Sequence, residues 1–266
     1  MSRRHGLALS RRSLLAAALA APAWVACTGE ADSTTGRRVV LAVRVARVEP
    51  TFVTKEGFRV TLSRALVSLA SLTFFEGETL FAAHTPKRRP SPFAGLVPVA
   101  HAHPGHYVAG EARGEFLVPT VVDVLAGAAL GEGSGVSGLY RSARVAFVDA
   151  AGGGAAPELA GYAALLEGEA TKGTEVRKFR ARVAAADLVT NGVAAIEGCP
   201  FTTVDVQGNG TVTLSIAVEA WLGAVGLEAL PQGPNAVDIA GVPFAELTRS
   251  MKGADRYRFA FAFASA

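Results

Sequence analysis

Few of the residues that usually announce a chemistry occur here. The 266 residues include only two cysteines, two tryptophans and two methionines. Two cysteines cannot build a disulfide framework or a Cys-x-x-Cys metal clamp. There is no G-x-S-x-G nucleophile elbow and no H-E-x-x-H helix motif. The run Gly131-Glu132-Gly133-Ser134-Gly135-Val136-Ser137-Gly138 has the glycines of a phosphate loop but not its lysine. Carboxylates are scattered, and no pair stands out as an acid–base couple. A binding protein is therefore expected rather than an enzyme. No apolar run reaches the roughly 20 residues a membrane-spanning helix requires.

An excess of one charge is also missing, despite a formal net charge of +3. Arg3, Arg4, Arg11 and Arg12 precede the first acidic residue, Glu30. Without those four, 22 basic residues stand against 23 acidic ones. No basic stripe is left to neutralise phosphates, so nucleic acid is not an expected partner.

What is present begins with a targeting signal. The arginines lead into Leu14-Leu15-Ala16-Ala17-Ala18-Leu19-Ala20-Ala21, a basic region followed by a short apolar one. Ser10-Arg11-Arg12-Ser13-Leu14-Leu15 resembles the twin-arginine export motif. Val25-Ala26-Cys27 resembles the end of a bacterial lipobox, whose cysteine receives lipid. The expected layout is a signal over 1–26, a polar tether over 27–37 and one domain over 38–266. The protein is then placed on the periplasmic side of the bacterial cell envelope, its only membrane contact a lipid on Cys27. Cleavage after Ala23 is the other reading. It leaves Cys27 free and permits a Cys27–Cys199 disulfide in an oxidising compartment.

The domain reads as all-β, a sandwich or a partly open barrel with one or two short helices. Residues 39–45 are a β-branched run. Phe58, Val60 and Leu62 alternate with Arg59, Thr61 and Ser63, and the strand is expected to continue to Phe75, where Gly77 breaks it. Further strands are expected over 139–148, 162–169, 176–183 and 257–263. Gln207-Gly208-Asn209-Gly210 predicts a hairpin between strands at 202–206 and 211–218. Helices are expected near 119–129 and 243–252, and glycine loops at 131–138 and 152–154.

Residues 84–106 read as a long Pro/His-rich loop, with Pro86, Pro90, Pro92, Pro98 and Pro104 denying ladder hydrogen bonds. All four histidines beyond the signal fall there: His84, His101, His103 and His106. In an extended segment His101 and His103 point the same way. Pro104-Gly105 is a turn pair that can swing His106 towards them. Clustered neutral imidazoles suit copper, with zinc the alternative. Glu111, Glu115 and Tyr107 are expected to support the ligands from outside, His84 to serve as a fourth ligand, and Trp221 to be a core or rim aromatic.

The succession Gly57-Phe58-Arg59-Val60-Thr61-Leu62, Ala65-Leu66-Val67-Ser68-Leu69, the histidine loop and Gly138-Leu139-Tyr140-Arg141-Ser142-Ala143 resembles the exported MbnP-like copper-binding proteins. The strand entering Trp221 fits the same outline. The resemblance implies a β-sandwich that binds copper through histidines; capture, delivery or sensing is the expected role because no residue set argues for turnover. It also implies a dihaem peroxidase-like or transport partner in the envelope, and it singles out Trp221 as the tryptophan such a partner would oxidise.

Overall fold

The computed structural model of the chain describes residues 36–77, 110–151 and 157–263. Among them are thirteen strands: β1 (Arg38–Val45), β2 (Thr51–Val53), β3 (Arg59–Phe75), β4 (Ala112–Phe116), β5 (Thr120–Asp123), β6 (Ala128–Val136), β7 (Gly138–Phe147), β8 (Ala164–Lys172), β9 (Glu175–Val183), β10 (Ala195–Val206), β11 (Gly210–Ile216), β12 (Gly233–Asp238) and β13 (Tyr257–Phe263). Two short helices, α1 (Val218–Leu222) and α2 (Gly241–Met251), complete the frame. The hydrogen-bonded order is β12-β9-β8-β3-β4-β6-β1-β11-β13, with β7 carried on β3 and β10 on β7. The sheet does not close into a barrel. It folds over itself as a sandwich, the architecture that the alternation of short strands predicts.

The spine is β3. Phe58, Val60 and Leu62 are buried while Arg59, Thr61 and Ser63 are exposed, the period-2 pattern of a half-buried strand. From Ala65 to Leu69 every residue is buried, so the period is lost and a helix becomes arguable from sequence. The strand persists because β5, β7 and β8 all hydrogen-bond to it in that region. Its far half meets the opposite layer through aromatic packing. The Phe74 ring stands edge-on to Phe259 and Phe261, with centroids 5.5 and 5.6 Å away.

Three expectations are corrected. The 119–129 helix is instead β5, a turn and the start of β6. Val122 and Val124 alternate into the core, and the Asp123 carboxylate accepts the Leu125 N–H at 3.0 Å, turning the chain before Gly127 at φ +70°. Apolar residues at 122 and 125 mimicked a helical spacing within a strand and turn. The turn at 207–210 exists, but β10 and β11 do not pair with each other. β11 lies parallel to β1 and antiparallel to β13, while β10 pairs with β7. Turn chemistry reports a change of direction and not the next strand's partner. Residues 218–222, read as strand running into Trp221, form α1.

The glycine run 131–138 is also strand rather than loop, for a packing reason. A Cβ on Gly135 would lie 2.6 Å from the Tyr140 hydroxyl, and one on Gly133 would lie 2.7 Å from the Glu115 carbonyl oxygen. Neither contact is sterically tolerable without movement. Gly135→Ala is therefore expected to destabilise the fold by about 1–3 kcal/mol, the usual range for overpacking, as a lower urea midpoint with an unchanged slope.

Candidate functional site

His84, His101, His103, His106, Tyr107 and Cys27 lie outside the described residues, as does the 152–154 glycine turn. The structure does describe the platform on which the histidine segment begins and ends. Strands β3 and β4 are antiparallel neighbours in register Phe75↔Ala112. Just beyond, the Glu76 N–H donates to the Glu111 carbonyl at 3.2 Å. A Cβ built on Gly110 would lie 3.0 Å from the Gly77 nitrogen, so the two backbones touch. Gly110 takes φ +68°, a left-handed turn that disfavours a side chain. Residues 78–109 thus leave and rejoin the sheet at one point.

Side chains fasten that point. The Arg113 guanidinium donates from Nε and Nη2 to one Glu76 oxygen at 2.9 and 2.5 Å, and Glu111 stands 3.4 Å from Nη2. The hydrogen bond to the Glu76 carboxylate raises the Arg113 pKa further. Ser142 on β7 donates its hydroxyl to the Gly77 carbonyl at 2.7 Å. Tyr140 is fully buried beneath. Its hydroxyl proton faces the Arg113 carbonyl at 2.5 Å and the Val136 carbonyl at 2.9 Å, and its oxygen accepts the Val136 N–H at 3.3 Å. Burial raises the Tyr140 pKa, which keeps the phenol protonated and donating. This tyrosine knot joins β4, β6 and β7, and local pattern cannot reveal it because its partners are up to 27 residues apart.

The two carboxylates expected to support a metal are placed differently. Glu111 is exposed at the loop's return and faces Arg113. Glu115 is exposed on β4, four residues further along the chain. It borders an open groove of ≈ 820 Å³ with Arg38, Glu132, Ser134 and Leu117. Among the described residues there is no group of three or more His, Cys, Asp or Glu side chains able to hold a metal.

Trp221 is in the core, at 0% exposure, with its ring centroid 6.1 Å from that of Tyr257. It follows β11 at the Ile216↔Tyr257 end, whereas the loop's end of the sandwich is marked by Gly210↔Phe263. The two are separated by the length of β11, roughly 20 Å at the usual rise per residue. Its indole N–H has no partner among the described residues.

Cys199 is fully buried, and its thiol points at the Ile196 carbonyl 3.5 Å away. Burial pushes its pKa up to about 12. The thiolate is the reactive form, so at neutral pH an aromatic disulfide reagent should leave Cys199 unmodified in the folded protein and modify it promptly in denaturant. Rapid reaction before unfolding would contradict the burial.

No family model matches the chain, nor does any curated protein or solved structure.

Proposed function

We propose that this is a lipid-anchored protein of the bacterial envelope that captures copper for delivery or sensing. The ligands are His101, His103 and His106, with His84 as a fourth and zinc as the alternative metal. The observation that carries the reading is the confinement of every histidine beyond the signal to one segment whose two ends meet at Gly77 and Gly110. Closing a loop at its base lowers the entropy lost when distant ligands converge, since the chain between them is already restricted. His84 and the 101–106 run gain from that closure. Glu115 sits on the strand that receives the segment and Glu111 immediately precedes it, both close enough in sequence to serve as outer partners of ligating imidazoles.

Capture rather than turnover is the proposed role because no residue set in the sequence argues for turnover. The resemblance to MbnP-like proteins belongs to the same proposal, together with a dihaem peroxidase-like or transport partner acting on or receiving from this chain. The test is a titration. Protein dialysed against a chelator should bind Cu²⁺ stoichiometrically and more tightly than a free histidine peptide, with Zn²⁺ weaker, following the intrinsic order for nitrogen ligands. Binding no tighter than the free peptide would favour a structural or interaction lipoprotein without a specific metal site.

A further inference from the structure

The open groove beside Glu115 runs over β1, β4 and β6, with β6 the middle strand. In its central row Ser134 is paired with Val40 on one side and Glu115 on the other. Their chain neighbours Val39, Leu41, Gly133, Gly114 and Phe116 are buried, so these three side chains face outwards. The short serine on the middle strand leaves a trough between the two flanking strands.

Charge is divided along the trough. Arg38 stands opposite Val136, and Glu132 stands opposite Ala42. Arg38 and Glu132 are thus four residues apart along β1 and one strand across, about 14 Å at the usual strand spacings. That is too far for the two to pair. Glu115 belongs to the acidic end, one strand across and two residues along from Glu132, roughly 8 Å away. The side chains of Arg38, Glu115 and Glu132 make no hydrogen bond or ion pair among the described residues. Arg113, also in the groove, is engaged by Glu76 and Glu111.

We propose that this trough binds a short zwitterionic peptide in extended form, its ammonium group at Glu132 and Glu115 and its carboxylate at Arg38. Three or four extended residues span roughly 10–14 Å, which matches the separation of the two charged ends. A single amino acid is too short to reach both. The guanidinium is a planar fork suited to a terminal carboxylate, and an ammonium group donates to two carboxylates at once. Val40 and Leu117 flank the trough at 41% and 58% exposure and offer aliphatic contact to small side chains lying over Ser134. The site is built from β1, β4 and β6 alone and is independent of the copper proposal.

The test titrates the metal-free full chain with tetraalanine and follows backbone amide shifts by NMR. Saturable shifts concentrated on β1, β4 and β6 are expected. Acetylating the peptide's amino terminus, or amidating its carboxyl terminus, should each weaken binding by up to about fivefold, the most an exposed ion pair usually contributes. Arg38→Gln should weaken binding of the free acid by the same factor and leave binding of the amide unchanged. Glu115→Gln combined with Glu132→Gln should weaken the free amine and leave the acetylated peptide unchanged. These side chains are exposed, so an unaltered urea midpoint serves as the check that each variant is folded. No saturable shift at millimolar peptide overturns the proposal. So does binding that ignores both blocking groups, or alaninamide binding as tightly as tetraalanine, which would leave only a cation site.

Discussion

Alanine at His101, His103 and His106 together is expected to abolish stoichiometric copper binding, with a loss of affinity on the order of 100-fold or more. That exceeds the usual effect of removing a group that merely orients a ligand. None of the described strands contains these histidines, so the urea midpoint should stay where it is in the unsubstituted protein. His103→Ala alone should remove much of the affinity, because His103 is central in the run, and His84→Ala should remove less. A metal-bound imidazole must be neutral, so protons compete with copper. Affinity should hold near neutral pH and fall as the pH drops through about 6, where unperturbed histidine protonates. Unchanged stoichiometry and affinity in the triple variant would place the metal elsewhere on the chain.

Trp221→Ala should have the largest effect on stability. Trp221 heads the fully buried side chains by volume, at a site closed by α1 and Tyr257. Truncating a buried tryptophan costs roughly 3–5 kcal/mol, set by how far the cavity collapses. A domain of this kind holds only about 5–15 kcal/mol, so the loss should appear as a large fall in the urea midpoint. Trp221→Phe should cost much less. It keeps most of the volume and removes an indole N–H that has no partner among the described residues, a group whose burial alone costs about 1–3 kcal/mol. If both substitutions proved equally damaging, the indole nitrogen would be making a contact that this packing does not contain.

The elements that alternation could reveal were readable from the chain. The exposed and buried positions of β3 up to Leu62, the β8–β9 hairpin, the single-sided aromatics of β13 and the helix at 241–251 all follow from local pattern. Pairing over long distances was not readable. Nothing near Gly208 says that β11 runs parallel to β1, since register there is set by tertiary packing and by Asn209, whose side-chain oxygen accepts the Val40 N–H at 2.8 Å. The glycines of β6 read as loop because their reason is Tyr140 and Glu115, which reach them only in the folded state. For the candidate site, composition supplied the histidines, while the Glu76–Arg113–Glu111 cluster and the Tyr140 knot emerged only from geometry.

Copper capture is tested most directly by the metal content of protein isolated from its native envelope without added metal. The account predicts a stoichiometric copper that a chelator removes and that returns on titration with Cu²⁺. Protein isolated without metal, and binding added copper no more tightly than a free histidine peptide, would contradict it.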